Sequence, residues 1–552
     1  MYSDKENINI LTSLLSKNSV EHVVVCPGSR NAPLVHNFNE RPDLICHPVT
    51  DERSAGFIAL GMAQQINGPV AVCVTSGSAL LNVLPAAAEA TYQKCGIIVI
   101  SADRPAAWID QLDGQTCPQQ DALGKFVAKS VTLPEPKNDE ERWLCNRLIN
   151  EAFIEHFRAH HPSVHINVPI SEPLFEFNTE RLPNERVVRC WPWNVEATRE
   201  YFVSRLKKAK KPMFIIGQTK EFAIDEDSIN NLSQHYVILS EPISGGELPL
   251  SFTDQMLYAI EKNAEAYRPD LVVFVGGHTV SKRLRHFMRS LDKDVMQIVV
   301  SPDHELRDIS QNTRFIIQGH TDDFFDYLSE EVNHPARPSA FYNKWKKLRK
   351  EIAAKHEAYK PEYSQMMAVK LFEEEYEKAK DYGKVYYANS MSVRLAALYA
   401  KHYCGCNRGL NGIEGSLSVA AGASLVRKDN VYCVIGDLSF FYDENALWQQ
   451  ELGGNLRILL LNNSQGGIFR NLKGLKESPV CDTFISAQHS ASAEGICQQF
   501  NVKYLKAVDE ASLQRGVTEL VNMNSQRPVL LEVITDIDND ERIFKEYYRK
   551  LR

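Results

Sequence analysis

Short runs of β-branched and other apolar residues recur along the chain and alternate with segments of helical pattern. In the first block, residues 55–65 and 80–92 have the helical pattern and lie among the runs HVVVC, VAVCVTS, GIIVISA and SVHINVP. Strands that are apolar throughout are typical of parallel sheets, because crossover helices cover both faces of such a sheet. The pattern therefore predicts an α/β fold with mainly parallel sheets.

Two further blocks of the same kind follow. One contains PMFIIG, YVILS, LVVFVGG, VMQIVVS and FIIQG, and the other contains VYYANS, VYCVIGD, LRILLLNN and VLLEVIT. The stretches 182–193 and 334–355 have the composition of linkers, and residues 536–552 form a charged tail. Because 552 residues are too many for one hydrophobic core, we predict three doubly wound domains, over residues 1–180, 190–335 and 350–552.

Charge and hydropathy exclude several classes of function. Lys and Arg number 62 against 70 Asp and Glu, so the chain lacks the basic excess that nucleic-acid binding requires. No apolar stretch approaches the roughly 18 to 20 residues of a membrane span, and the start lacks a signal-peptide pattern. The twelve cysteines are scattered, which favours buried thiols over metal ligands or disulfides. We expect a cytoplasmic protein.

Polar residues follow two strands of the third block. One strand ends in Gly436-Asp437, and the next ends, one crossover later, in Asn462-Asn463. Neighbouring parallel strands bring their carboxyl ends to the same sheet edge, so a carboxylate, a carboxamide and backbone carbonyls converge there. Such oxygen ligands suit Mg²⁺ completed by phosphate oxygens, which implies a diphosphate cofactor. The alternative is that Asp and Asn serve only as helix caps.

This spacing resembles the thiamine diphosphate motif, with Leu438 at the position of its usual third glycine. An enzyme of that class needs a carboxyl group in a water-poor place beside the aminopyrimidine ring. Glu52 precedes a helix that is apolar on nearly all sides, AGFIALGMA, so we expect burial and a raised proton affinity. The alternative, an acidic first turn favoured by the helix dipole, fits Asp51 as well as Glu52.

Several loops together resemble the family of 2-succinyl-5-enolpyruvyl-6-hydroxy-3-cyclohexene-1-carboxylate synthases of menaquinone biosynthesis. They are CPGSRNAPL, DERSAGF, TSGSALLNVLPAAAEA, ADRP, GGHTVSKR, NSMSVR, NRGLNGIEG, GDLSFFYDENAL and NNSQGGIF, and they run through all three blocks. The resemblance implies a carboligase of the transferase class that decarboxylates 2-oxoglutarate and adds the succinyl carbanion equivalent to isochorismate in a 1,4 fashion. It also implies a homodimer or dimer of dimers with shared active sites, a pyrimidine-binding first domain and a diphosphate-binding third domain.

The resemblance also assigns roles to residues. Both substrates carry several negative charges, and the matching positions supply counter-charges: Arg30, Arg104, Lys282, Arg283, Arg394 and Arg408. Gln115 and Ser390 would face the reacting carbons, Ile413 would bend the cofactor, and an apolar side would be formed by Ile468, Phe469 and Leu472. Further cofactor contacts would come from Thr75, Asn82, Gly409, Gly436, Leu438, Ser439 and Gly466. The metal, Mg²⁺ or alternatively Mn²⁺, would be held by Asp437, Asn463 and the main-chain carbonyl of Gln465.

The chain departs from the family pattern at four positions besides Leu438. Asn31 and Ala32 stand where Ser and Thr are usual, Gly114 replaces Asn, and Gln465 replaces Gly or Asp. Two other hypotheses stay open on the sequence. A different thiamine diphosphate enzyme predicts fewer cationic groups in these loops, and a non-enzymatic or nucleotide-regulated α/β protein predicts no metal-dependent diphosphate binding.

Overall fold

The structure is a computed structural model, and contacts divide the chain into two compact units. The first unit comprises Met1–Pro192 and Asp303–Gln318, and the second comprises Trp193–Pro302 and Gly319–Arg552. The residues described are 1–66, 68–92, 95–158, 161–221, 223–245, 252–303, 305–330, 339–379, 383–409, 411–448, 450–471, 474–475 and 477–552. The three predicted domains and their boundaries stay a prediction.

Helices and strands alternate along most of the chain. The strands are β1 His22–Val25, β2 Ile45–Pro48, β3 Val70–Val74, β4 Ile98–Asp103, β5 Lys129–Thr132, β6 Val164–Pro169, β7 Arg189–Pro192, β8 Pro212–Ile216, β9 Val237–Leu239, β10 Leu271–Val275, β11 Met296–Ser301, β12 Thr313–Gln318, β13 Lys384–Tyr387, β14 Val431–Gly436, β15 Leu456–Asn462, β16 Lys503–Ala507 and β17 Val529–Ile534. The α-helices are α1 Glu6–Lys17, α2 Ala32–Asn39, α3 Glu52–Ile66, α4 Ser78–Tyr92, α5 Asp139–His156, α6 Glu196–Lys208, α7 Glu226–Ser233, α8 Thr253–Ile260, α9 Lys282–Arg289, α10 Thr321–Glu330, α11 Ala340–Ala358, α12 Gln365–Ala379, α13 Met391–Tyr399, α14 Ser416–Val426, α15 Asp437–Tyr442, α16 Glu494–Gln499, α17 Glu510–Asn522 and α18 Ile537–Leu551.

The first unit is built on a six-stranded sheet with the order β2-β1-β3-β4-β6-β5. All of its strand pairs are parallel. Strand β3 shows why its sequence is apolar throughout: Ala71 and Cys73 belong to the core on one face, and Val70, Val72 and Val74 belong to the core on the other. Both faces are therefore covered, as the sequence pattern predicts. Strands β7 and β12, also in this unit, pair in parallel.

The second unit contains two sets of parallel strands. One is a five-stranded sheet with the order β13-β14-β15-β17-β16, and in the other β11, β10, β8 and β9 lie side by side in that order. In the first of these sets Gly436 of β14 pairs with Leu461 of β15. The loops that follow these two strands therefore leave the sheet at the same edge. The predicted fold class, α/β with mainly parallel sheets, is confirmed.

Four strands escape prediction from the sequence: β2, β5, β7 and β16. Among the strands that the structure describes, each has a neighbour on one side only and so lies at an edge of its sheet. Edge strands are partly exposed, and β2, β5, β7 and β16 accordingly lack the continuous apolar run that reveals a central strand. The prediction of residues 182–193 as a linker is wrong where it includes β7.

Three helical predictions also need correction. Residues 340–355, assigned to a linker, belong to α11, which runs to Ala358. The charged tail forms α18, which buries Ile543, Tyr547 and Leu551 at helical spacing. The helix expected over 444–452 is only a short 3₁₀ turn, Glu444–Trp448, because α15 begins earlier, at Asp437. The helix of this crossover thus starts directly at the end of β14.

Two findings concern the cysteines and the possibility of a membrane span. All twelve cysteines lie in the described ranges and are free thiols, seven of them buried. Among the helices that the structure describes, none has the length and apolar character needed to span a membrane.

Candidate active site

Asp437 joins the loops that follow β14 and β15. Its carboxylate is buried and accepts hydrogen bonds from three backbone N–H groups, those of Leu438 (2.7 Å), Asn463 (3.1 Å) and Gln465 (3.2 Å). The last two donors share Oδ2, and Nε2 of His489 lies 3.5 Å from the same oxygen. The crossover therefore brings the predicted metal ligands together at one sheet edge.

The other predicted ligands have oxygen atoms suited to a hard cation. The side-chain amide of Asn463 donates through Nδ2 to Asp540 (3.0 Å), so its carbonyl oxygen is the polar atom left for a ligand. Oε1 of Gln465 is buried and has no hydrogen-bond partner among the described residues. The carboxylate of Asp437 and the carboxamide oxygen of Asn463 are ligands that suit Mg²⁺ on a diphosphate. The orphaned Oε1 of Gln465 is a further buried oxygen beside the predicted ligand of that residue, its main-chain carbonyl. The same hydrogen bonds of Asp437 would also form if its only role were to hold the two loops together, so the metal assignment stays a prediction.

A cavity of about 670 Å³ lies beside this cluster, within the second unit. Most of the site residues predicted for this part of the chain line it: Lys282, Ser390, Arg394, Arg408, Ile413, Gly436, Asp437, Leu438, Ser439, Asn463, Gln465, Gly466, Ile468 and Phe469. Gly466 is the residue that permits close packing here, because a Cβ atom would lie 2.9 Å from the Phe469 ring. The cavity is large enough for the reactive ring of a cofactor together with a small substrate.

Four cationic side chains line the cavity, against one acidic side chain, Asp437, among the described residues. They are those of Lys282, Arg285, Arg394 and Arg408. Burial lowers the pKa of Arg408, and the neighbouring Arg394 and Arg285 lower it further, while Cys406 and Glu241 act in the opposite direction. The cavity is therefore suited to ligands with several negative charges.

Arg408 is positioned by Asn389, a residue that the sequence does not mark as part of the site. Oδ1 of Asn389 accepts from Arg408 Nη1 (2.9 Å), and its Nδ2 donates to the carbonyls of Asn407 and Gly412. Ser390 has a positive φ of 73°, a rare conformation for a residue other than glycine and one often found at functional sites. Ser439 donates through Oγ to the carbonyl of Ile413 and so fixes the predicted wedge residue.

The loop before α9 is held by two buried groups. Glu241 accepts hydrogen bonds from the backbone N–H groups of Val280 (2.6 Å) and Ser281 (2.7 Å). Burial raises the pKa of Glu241, while the two backbone hydrogen bonds oppose that change. Ser281 caps the helix by accepting from Leu284 N–H (3.0 Å). This anchoring presents Lys282, the first residue of α9, to the cavity.

Two of the described site residues predicted in the second unit, Arg283 and Gly409, are not lining residues of this cavity. Arg283 lines an adjoining cavity of about 440 Å³, where it pairs with Asp254 (2.5 Å) and stacks over Tyr548. Gly409 is exposed. Leu472 lies outside the described residues.

In the first unit, the predicted residues Arg30, Thr75, Arg104 and Gln115 occupy loops that follow the adjacent strands β1, β3 and β4, whereas Glu52 and Asn82 lie on α3 and α4. Arg30 is buried and donates to the carbonyl of Ile170 (3.0 Å) and to the exposed carboxylate of Glu172 (3.2 Å). Thr75 packs against Gly28, where a Cβ atom would lie 2.4 Å from that of Thr75. The amide of Asn31, one of the departures, donates inward to Cys26 carbonyl (2.8 Å).

Glu52 is the first residue of α3, and the sequence predicted that it is buried. In the single chain it is only half-buried, and Asn82 donates to its Oε2 (3.3 Å). The prediction of burial is wrong for one chain by itself. It also fails at Phe57 and Ile58 of this helix, whose side chains are exposed. Asp51, in contrast, accepts from the backbone N–H of Arg53 (3.1 Å), as a residue of the first turn does.

Gln115 and Arg104 belong to a loop that a further buried residue supports. Gln115 has a positive φ of 54°, and Arg104 donates to the carbonyl of Gly114 (2.9 Å). Gln119, which the sequence analysis missed, accepts from Gly77 N–H (2.7 Å) and donates to the carbonyl of Ala102 (3.1 Å). A glutamine in a polar loop gives no signal of burial in the sequence, so only the structure identifies it.

Comparisons with known proteins agree with this geometry. Residues 8–124 match the N-terminal binding domain of thiamine pyrophosphate enzymes, and residues 388–533 match the C-terminal one. A 2-succinyl-5-enolpyruvyl-6-hydroxy-3-cyclohexene-1-carboxylate synthase of Bacteroides fragilis is 42% identical over 100% of both chains. The synthases of the same name from Bacteroides thetaiotaomicron and Porphyromonas gingivalis are 40% and 30% identical, the former over 100% of both chains and the latter over 99% of this chain and 97% of its own.

The relatives share one name and align over essentially the whole chain, and the two family matches cover the loops in which the sequence placed Glu52 and Asp437. The protein is thus a thiamine diphosphate-dependent enzyme and belongs to the 2-succinyl-5-enolpyruvyl-6-hydroxy-3-cyclohexene-1-carboxylate synthase family.

Proposed function

We propose that the protein decarboxylates 2-oxoglutarate and adds the remaining four-carbon unit to isochorismate in a 1,4 fashion, as a cytoplasmic step of menaquinone biosynthesis. The products are CO₂ and 2-succinyl-5-enolpyruvyl-6-hydroxy-3-cyclohexene-1-carboxylate. The observation that carries the proposal is the cavity of the second unit, which combines the oxygen cluster of Asp437 with Lys282, Arg394 and Arg408. A multiply anionic substrate beside a metal-bound diphosphate requires that combination.

The cofactor and metal have separate places in this proposal. Asp437, Asn463 and the carbonyl of Gln465 would hold Mg²⁺, or alternatively Mn²⁺, on the diphosphate. The chemistry that thiamine diphosphate supplies when bound is an electron sink for the decarboxylation of a 2-oxoacid. Ile413, with its carbonyl fixed by Ser439, would support the cofactor, and Ile468 with Phe469 would form the apolar wall that excludes water.

The chain's own residues would bind and orient the substrates. Arg394 and Arg408 would pair with carboxylates through their planar guanidinium groups, because such groups bind a carboxylate in a bidentate way. Ser390 would lie within reach of the reacting carbon. Arg30, Arg104 and Gln115 would contribute from the first unit, and Glu52 would exchange a proton with the aminopyrimidine ring of the cofactor.

A homodimer, or a dimer of dimers, with shared active sites accompanies this proposal. In the first unit Phe57, Ile58 and Leu81 are exposed, and in the second unit Val426 of α14 and Trp448 are 85% and 68% exposed. Large exposed apolar side chains on helices mark surfaces that a partner covers. Because Phe57 and Glu52 share α3, a second subunit on this face would also give Glu52 the water-poor surroundings that its role needs.

A different thiamine diphosphate enzyme, such as a simple 2-oxoacid decarboxylase or an acetolactate-type synthase, is the competing hypothesis. It acts on substrates with a single carboxylate, and four cationic side chains in the cavity favour substrates with more charge.

The test is incubation of the purified protein with thiamine diphosphate, Mg²⁺, 2-oxoglutarate and isochorismate, with isochorismate loss and product mass as readouts. We expect loss of isochorismate only when all four are present, and a product heavier than isochorismate by the succinic semialdehyde unit. Pyruvate in place of 2-oxoglutarate is the control. CO₂ release without isochorismate loss would identify a decarboxylase instead, and a faster reaction with pyruvate would favour an acetolactate-type synthase.

A further inference from the structure

Helix α9 presents two cationic side chains to the cavity. Lys282 and Arg285 are three residues apart, so they lie on the same side of the helix, and both line the cavity. The resemblance to the synthase family drew attention to Lys282 and Arg283 but not to Arg285. In the structure Arg283 is paired with Asp254 in the adjoining cavity, whereas Arg285 is half-buried at the predicted active site.

Arg285 and Arg408 meet at one backbone oxygen. Nη1 of Arg285 and Nη2 of Arg408 each donate to the carbonyl of Thr279 at 3.0 Å. These two donors come from residues far apart in sequence, one on α9 and one in the loop between α13 and α14. A neutral carbonyl oxygen satisfies one N–H of each guanidinium group but does not neutralise either charge.

A third arginine adds to this cluster. Burial lowers the pKa of Arg285, and Arg394 lowers it further, while the buried Glu241 opposes the change. Like charges in a partly buried place repel one another more strongly than in water, and an anion placed among them relieves the repulsion. The three guanidinium groups therefore form a ready site for a carboxylate.

We infer that Arg285 is a specificity-determining residue that binds, together with Arg394 and Arg408, the distal carboxylate of 2-oxoglutarate. This inference rests on the proposed function. The carboxylate next to the keto group leaves as CO₂, so the distal one carries the charge that persists through the reaction. A cluster of fixed cations is best used on a charge that persists, because it holds the four-carbon unit in place for the second step. It also distinguishes 2-oxoglutarate from 2-oxoacids that lack a second carboxylate.

The test measures binding of succinate and butyrate by calorimetry to the enzyme loaded with thiamine diphosphate and Mg²⁺. Succinate has two carboxylates and butyrate has one, so their affinity ratio reports on the distal site without turnover. We expect Arg285→Gln to weaken succinate binding about 10- to 100-fold, as loss of a charge-assisted hydrogen bond does. The KM for 2-oxoglutarate should rise by a similar factor, with a smaller change in kcat.

Two further variants separate charge and shape from general effects. Arg285→Lys keeps the charge but lacks the planar fork, so its loss should be intermediate. Arg289 is an exposed arginine of the same helix and is not a lining residue of the cavity. In Arg289→Gln the Kd for succinate and the KM for 2-oxoglutarate should therefore stay within about twofold of the parent values.

Several results would overturn the inference. One is a parent-like ratio of succinate to butyrate affinity in Arg285→Gln. Another is an equal loss of thermal stability in the Gln and Lys variants with an unchanged ratio, since the bond to Thr279 would then be purely structural. If the parent enzyme converts 2-oxoglutarate and isochorismate but Arg285→Gln keeps the parent KM, only this inference fails. If the parent does not convert them, the proposed function fails first.

Discussion

Replacement of Asp437 by alanine tests the metal assignment most directly. The substitution removes a buried carboxylate that accepts three backbone hydrogen bonds, from Leu438, Asn463 and Gln465. If Asp437 also binds the metal, the variant loses both the hydrogen bonds that join two loops and a ligand of the metal. These two losses have different signatures, because the first affects stability without any ligand and the second affects binding.

The structural loss follows from the contacts. A buried N–H group left without a partner costs about 1 to 3 kcal/mol, so three of them lower the free energy of unfolding by about 3 kcal/mol or more. The loss of binding is estimated separately. Outer-shell partners of metal ligands change metal affinity about 10- to 100-fold, so loss of a direct ligand should weaken binding at least about 100-fold.

The assay combines calorimetry and thermal unfolding, each with and without thiamine diphosphate and Mg²⁺. At a ligand concentration about 100-fold above the parent Kd, binding adds about 2.7 kcal/mol to parent stability. A variant that binds about 100-fold more weakly gains only about 0.4 kcal/mol under the same conditions. Asp443→Ala is the matched control, since Asp443 also accepts a backbone hydrogen bond, from Ser418 (2.8 Å), in the same crossover. It should lose stability and keep the ligand-induced gain.

The reasoning is refuted if Asp437→Ala binds the cofactor with parent affinity and the same dependence on Mg²⁺. In that case Asp437 only holds the two loops together, as the capping alternative holds, and the metal lies elsewhere.

Three further predictions follow from the structure. Glu52→Gln should slow exchange of the thiazolium C2 proton of bound cofactor about 10²- to 10⁴-fold, as quenched NMR would measure. The exchange rate should fall less in Glu52→Asp and stay near that of the parent in Asp51→Asn. A larger defect in Asp51→Asn would remove Glu52 from the mechanism. Mixed inactive Glu52→Gln and Asp437→Ala chains should regain activity after subunit exchange, and no recovery despite proven exchange would count against shared sites. Burial lowers the pKa of His402, but the Glu373 carboxylate at 2.9 Å and other neighbours raise it by more, so the pKa lies well above its usual value. The contribution of this pair to the free energy of unfolding should be full below about pH 6.5 and be lost as pH rises through the raised pKa. Urea denaturation at several pH values should show this loss in the parent and not in His402→Asn.

The sequence predicts the central strands well because burial on both faces leaves a direct trace in residue type. Strand β3 is apolar at every position for that reason, whereas the edge strand β16, with Lys503 and Lys506, has no such trace. The sequence of helix α18 predicts only a charged tail, because its apolar residues form one narrow stripe among many charges.

The candidate site shows the same division between local pattern and tertiary contact. The sequence by itself determines that Asp437 and Asn463 lie at one sheet edge, since each directly follows a strand and one crossover separates them. Only the tertiary structure places Arg285 beside Arg408 and sets Glu241 beneath the loop before α9, because those contacts join segments distant in the chain. The burial of Glu52 depends on what covers the exposed face of α3 rather than on the residues next to Glu52 in the sequence. Local pattern specifies periodicity and strand ends, whereas charge clusters and burial at a site arise where separate segments pack together.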